Sequence, residues 1–121
     1  MSHFEEAADF PLVRLTEREI SDIRRALSAE LSQYAQARAW LFGSRTNMLA
    51  KGGDIDLFIE IDGDVEDDLA LARKLGAAFM RALGERKIDI VVKGSNIPDS
   101  ALHRIARSEG VLLWWNSIKP E

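Results

Sequence analysis

The sequence predicts one domain of the α/β or α+β class, in which helices cover a mixed sheet. The chain has 121 residues, 46% hydrophobic and 30% charged, which is enough for one core and too little for two. Segments with a helical period of three or four also alternate with short apolar segments that suit strands. We expect an N-terminal arm at 1–15, a single domain at 16–115 and a tail at 116–121.

The first half of the chain predicts one helix and two strands. Thr16 and Glu19 have the spacing of a capping box, and an apolar helical stripe follows them. The stripe consists of Ile20, Ile23, Leu27, Leu31 and Tyr34. Ala39–Phe42 is predicted as a buried strand that Gly43 stops in a tight turn. In the next strand, Ile55–Ile61, the isoleucines and Leu57 form the core face, because side chains alternate along a strand. The side chains predicted to face solvent or a cleft are Asp54, Asp56, Phe58 and Glu60.

The second half predicts a helix, a strand, a helix and a last strand. The second helix is expected to be capped by Asp64 and to end at Gly84. Its predicted core stripe is Leu69, Ala72, Leu75, Phe79 and Leu83. Ile88–Val92 is a β-branched run typical of a strand, and Pro98 suits the first turn of the next helix, which stops at Gly110. The predicted core residues of that helix are Leu102, Ile105 and Ala106. Val111–Trp115 is predicted as the last strand.

Composition excludes several classes of function. Without cysteine the chain has no disulfide, zinc–thiolate site or thiol nucleophile, so any metal must be held mainly by oxygen. His3 and His103 have no partner at zinc-ligand spacing. A net charge of -4 disfavours long nucleic acid as a partner. The acidic N-terminus does not resemble a signal peptide, and no apolar run is long enough for a bilayer. We therefore expect a cytoplasmic protein with no membrane partner.

Three aspartates carry the strongest chemical signal. Asp54 and Asp56 leave the same side of a strand, so their carboxylates converge where Mg²⁺ could use them together with substrate phosphates. Asp89 is a charge within an otherwise apolar strand and could complete the site. The structural alternatives are a turn cap at Asp54, an exposed polar position at Asp56, and an ion pair of Asp89 with Lys87 or Arg86.

A turn at Gly43-Ser44 is the second candidate element. Glycine permits close approach of the backbone, and the freed amides with the Ser44 hydroxyl can hold phosphate oxygens. Arg45 adds positive charge. The alternative is an ordinary turn closed by a serine.

In combination, Leu41–Ser44, Asp54–Leu57 and Ile88–Ile90 resemble the signature of the DNA polymerase β-like nucleotidyltransferase superfamily. Within it, the chain looks most like the minimal nucleotidyltransferases (MNT), the antitoxins of HEPN/MNT toxin–antitoxin pairs. The resemblance implies the polymerase β-like fold, and a reaction that moves AMP, or another nucleoside monophosphate, from ATP or another triphosphate to a tyrosine of a HEPN ribonuclease toxin.

The resemblance also implies roles for individual residues. Gly43 and Ser44 would bind the triphosphate, with Arg45 beside them, and Asp54 and Asp56 would bridge two Mg²⁺ ions. Asp89 would ligate the catalytic ion and help to deprotonate the acceptor hydroxyl.

Two other functions stay open, namely an antitoxin that acts only by covering its toxin, and a small-molecule nucleotidyltransferase of the antibiotic-modifying kind. Trp114 and Trp115 are adjacent on a strand, so they must face opposite ways, and one of them could serve a toxin or a second copy of the chain.

Overall fold

The computed structural model describes residues 2–3, 13, 15–43, 54–84 and 86–118, which form three helices and five strands. In chain order they are β1 (Ser2–His3), α1 (Glu17–Leu31), β2 (Gln36–Phe42), β3 (Ile55–Asp62), α2 (Asp68–Leu83), β4 (Ile88–Lys93), α3 (Ala101–Glu109) and β5 (Val111–Ile118). After β1, the elements follow the predicted order. The predicted class, a mixed sheet flanked by helices, is confirmed.

The strands form one mixed sheet in the order β1-β5-β2-β3-β4. β3 and β4 are parallel, and the other neighbouring pairs are antiparallel. Two parallel strands need a crossover connection, which α2 supplies. The crossover brings the first residues of β3 and β4 to the same edge of the sheet, and the candidate site lies there.

The main core lies between one face of the sheet and the helices α1 and α2. The predicted capping box is present, since the Glu19 amide donates to the Thr16 hydroxyl over 3.1 Å and the Thr16 amide donates to the Glu19 carboxylate over 2.8 Å. Tyr34 follows α1 and packs half-buried on the core. The fully buried side chains here include Ile20, Ile23, Leu27 and Leu31 of α1, Ile55, Leu57, Ile59 and Ile61 of β3, and Leu75 and Phe79 of α2. The predicted core faces of α1 and β3 are therefore confirmed.

The predicted start of the second helix was wrong. α2 is capped by Asp67, whose side chain accepts a hydrogen bond from the Ala70 amide over 3.0 Å. Two hydrogen bonds between the Val65 backbone and the Asn96 side chain, of 2.9 and 3.0 Å, hold the preceding segment and delay the helix beyond Asp64. Leu69, predicted for the core, is 65% exposed. The buried residues of α2 are Leu71, Leu75, Ala78 and Phe79.

α3 covers part of the other face of the sheet, and its prediction needs a similar correction. The helix is capped by Ser100 in a capping box with His103, so it begins after Pro98 and not around it. The helix presents His103 and Ala106 to the sheet. Of the three residues predicted for its core, Ala106 is buried, whereas Leu102 and Ile105 are 46% and 49% exposed.

Phe58 shows what α3 covers. It alternates away from the main core as predicted, yet it is fully buried rather than facing solvent or a cleft. Its ring stacks between Trp40, at 5.6 Å between centroids, and His103, at 5.2 Å. This face of the sheet therefore has a small aromatic core of its own.

Two strands are longer than predicted: β2 begins at Gln36 and β5 continues to Ile118. Trp114 is buried beside α1, and its indole nitrogen donates to the Ser28 hydroxyl over 3.0 Å. Trp115 is half-exposed. None of the helices described here is both long and apolar enough to span a membrane.

Candidate active site

The three candidate acids lie at the edge where β3 and β4 begin. Asp54 immediately precedes β3, and the Ile55 amide after it donates to the Lys87 carbonyl over 3.0 Å. Asp56 lies directly opposite Asp89 in the parallel register of β3 and β4. The structure therefore brings together the three carboxylates that the sequence singled out, from segments on either side of α2.

The surroundings of the Asp56 carboxyl disfavour its charged form. Burial raises its pKa above the ordinary value, and the negative charges of Asp89 and Asp54 raise it further. A hydrogen bond with the Asp89 side chain adds to the same effect, because it favours a shared proton. A cation bound among the three carboxylates would therefore stabilise their deprotonated form.

Gly43 completes one wall of this cluster. Its φ of +79° lies in the left-handed region that favours glycine, which explains the turn directly after β2. A Cβ at this position would lie 2.5 Å from the Oδ2 of Asp56. The missing side chain is what allows the backbone to pack so closely against the carboxylate.

The remaining predicted residues of the phosphate turn, Ser44 and Arg45, lie outside the described residues. Within the described ranges, no three acidic or histidine side chains form a complete metal site by geometry. The acids nevertheless suit a divalent cation in charge and donor type, since Mg²⁺ takes a few carboxylate oxygens and completes its octahedron with water and phosphate. The repulsion that acts on Asp56 is what such an ion would relieve.

The two cations near Asp89 in sequence, Lys87 and Arg86, contact other acids. Lys87 pairs with Asp54, at 3.5 Å between Nζ and Oδ2, and Arg86 pairs with Glu19 of α1 over 2.5 Å. Among the ion pairs of the described residues, neither cation pairs with Asp89, which was the alternative that the sequence left open. The proximity of Lys87 to Asp54 was not predicted.

Acids at the opposite end of the same face are neutralised instead. Arg38 pairs with Glu60 at 3.2 Å and with Asp62 at 2.6 Å, and Arg107 of α3 pairs with Glu60 at 3.1 Å. The hydrogen bond from Arg38 lowers the pKa of Asp62, whereas the pKa of Asp56 on the same strand is raised. The sequence predicted only that Glu60 faces solvent or a cleft, and it gave no sign of Arg38, whose partners are on the neighbouring strand. The contrast separates a structural ion network from a cluster in which neighbouring carboxylates raise the pKa of Asp56.

A model of the nucleotidyltransferase domain family matches residues 20–112, which include both strands that carry the acids. The chain belongs to this nucleotidyltransferase family. No curated protein matches it significantly. The family match confirms the predicted relationship to the DNA polymerase β-like nucleotidyltransferase superfamily. The protein is therefore a transferase that moves nucleoside monophosphates from nucleoside triphosphates.

Proposed function

We propose that this nucleotidyltransferase uses Mg²⁺ to transfer AMP from ATP to a tyrosine hydroxyl of a HEPN toxin, and so acts as its antitoxin. The observation that carries the catalytic part is the register of Asp56 opposite Asp89, with Asp54 close enough to raise the pKa of Asp56. The choice of AMP, tyrosine and toxin rests on the resemblance of the motifs to the MNT proteins.

In this proposal the residues of the chain divide the work. Asp54 and Asp56 would hold two Mg²⁺ ions, and Asp89 would be a further ligand. The backbone at Gly43, with Ser44 and Arg45, holds the β- and γ-phosphates. Bound Mg²⁺ would stabilise negative charge on the attacking and leaving oxygens.

The transfer is an in-line displacement at the α-phosphorus. The acceptor oxygen forms a bond to that phosphorus while the bond to the β-phosphate oxygen breaks, and pyrophosphate leaves. Asp89 accepts the hydroxyl proton, a role for which its position at the mouth of the site suits it. Asp89 is exposed, whereas Asp56 is partly buried, so Asp89 is the acid that an acceptor from solution reaches more easily.

The test is incubation of the protein with Mg²⁺, α-labelled ATP and a candidate HEPN protein. We expect label on a toxin tyrosine, and no label when Asp56→Asn is used. Asp64→Asn is the matched control, since Asp64 is an exposed acid just beyond β3. Both variants lose one negative charge, and only one of them lies in the cluster.

Two results would overturn the proposal. Inhibition of the toxin without label, and equally by Asp56→Asn, would show an antitoxin that acts by covering its target. Label on a small molecule but never on protein would show the antibiotic-modifying type of activity.

A further inference from the structure

The backbone fixes Lys87 beside the acidic cluster. Lys87 is the last residue before β4, and its carbonyl accepts the Ile55 amide over 3.0 Å at the start of the β3–β4 pairing. Its amine lies 3.5 Å from the Oδ2 of Asp54. Main-chain pairing therefore determines where this side chain begins, independently of its charge.

The contact between the amine and the carboxylate is easily broken. The Lys87 side chain is 70% exposed and that of Asp54 is 48% exposed. Ion pairs between groups as exposed as these are weak, because water screens them and a long side chain must be ordered. The positive charge of Lys87 also offsets part of the repulsion at Asp56. Lys87 thus partly neutralises the carboxylates without being held firmly.

We propose that Lys87 is an exchangeable counter-ion of the site. It neutralises Asp54 while the cluster holds no divalent cation, leaves that carboxylate when one binds, and then contacts the phosphates of the nucleoside triphosphate. This inference rests on the proposed function, because it needs a cation and a triphosphate at the acids. A lysine amine suits the second role, since it is a compact, mobile point charge that binds phosphate from several directions.

The exchange has a consequence that separates it from a purely structural lysine. Removal of the charge takes away a competitor of the divalent cation, so the cation alone should bind more tightly. It also takes away a phosphate contact, so the nucleotide should bind more weakly. The two affinities should therefore change in opposite directions.

The experiment compares wild-type protein, Lys87→Gln and Lys87→Arg in two calorimetric titrations. The first titrates Mn²⁺ alone, and the second titrates a non-hydrolysable ATP analogue in saturating Mg²⁺. For Lys87→Gln we expect Mn²⁺ binding to tighten by about two- to fivefold, the range expected for loss of an exposed ion pair, and analogue binding to weaken by a similar factor. Lys87→Arg keeps the charge and should remain within about twofold of wild type in both titrations.

Lys74→Gln is the matched control for net charge. Lys74 lies on α2, is 61% exposed and pairs with Glu30 of α1 instead of with the cluster. It should change neither affinity, and all variants should melt like wild type.

The outcomes distinguish this inference from the proposed function. Lys87→Gln that binds both ligands as wild type does, or changes both affinities in the same direction, would overturn the role of Lys87 and leave the nucleotidyltransferase site standing. Wild-type protein that binds neither Mn²⁺ nor the analogue would overturn the site itself, and the inference with it.

Discussion

Replacement of Gly43 by alanine should damage the site far more than the fold. Gly43 adopts a φ of +79°, and an added Cβ would lie 2.5 Å from Oδ2 and 3.4 Å from Cγ of Asp56. Carbon and oxygen cannot approach so closely, so the carboxylate must turn away. Because the obstructed atom is the end of a side chain, the rotation relieves the clash at little cost to stability.

The magnitudes follow from these two effects. Left-handed backbone conformation costs an alanine about 1–2 kcal/mol. For a domain of this length that corresponds to a fall of about 3–10 °C in melting temperature. A displacement of about 1 Å in a group that must be placed accurately costs about 100-fold in rate. We therefore expect Gly43→Ala to fold and to lose about 99% of its transfer activity.

Gly84→Ala supplies the control. Gly84 has the same φ of +79° at the end of α2, but no atom lies within 4 Å of an added Cβ. Its strain should be at least as large, because its ψ of -159° places it in a region that only glycine adopts readily. Thermal melting and transfer from labelled ATP, measured on both variants, separate strain from obstruction. Equal losses of activity in the two variants, or full activity in Gly43→Ala, would refute the reasoning.

Three further predictions test the electrostatics and the packing. Asp89→Asn should lower transfer by at least about 100-fold, because it removes the base. Its melting temperature should be unchanged or slightly higher, because a repulsive charge is lost. A large loss of stability with normal turnover would indicate a structural role instead. Burial lowers the pKa of His103, and its Nδ1 accepts the Ser100 amide over 3.0 Å, so the unfolded chain binds the proton more readily. The melting temperature should therefore fall as pH decreases below the ordinary histidine value of about 6.5, and His103→Gln, which keeps an acceptor for the capping box, should reduce that dependence. Trp114→Ala should cost about 3–5 kcal/mol in denaturant unfolding and Trp115→Ala less than about 1.5 kcal/mol, since only the first is fully enclosed; equal costs would contradict the assignment of their faces.

The alternation of apolar residues in strands and their helical period in helices predicted the elements that bury a single face in the main core. α1 and the core face of β3 are examples, because each presents a single apolar surface to the sheet or to the helices. Phe58 was the exception on β3. Its burial depends on α3, which comes from a distant part of the chain, and a local pattern carries no information about a second layer.

Helix starts were less predictable, because contacts distant in sequence decide them. Asp64 and Asp67 are both suitable caps on composition, and the Val65–Asn96 hydrogen bonds decide between them. At α3 the cap depends on a histidine, which replaces the glutamate or glutamine typical of a capping box. His103 and Ala106 face the sheet, and Leu102 and Ile105, each one position earlier on the helix, are exposed.

The acids of the candidate site could be predicted because charge within an apolar strand needs an explanation. Their mutual placement could not, since it depends on the register of two strands separated by α2. The pairing of Lys87 with Asp54 follows from that same register. The repulsion among the acids and the pairing with Lys87 therefore could not be predicted from the sequence.

The register of β3 and β4 also limits how this enzyme can evolve. Ile88 and Ile90 pack towards the helical core while Asp89 points to the opposite face, and a shift of β4 by one residue would exchange the two sets. An insertion or deletion between α2 and β4 that moved the pairing would abolish catalysis and bury a charge in the same step. Length variation is tolerable in this connection only when the strand keeps its pairing, so selection on packing also preserves the chemistry.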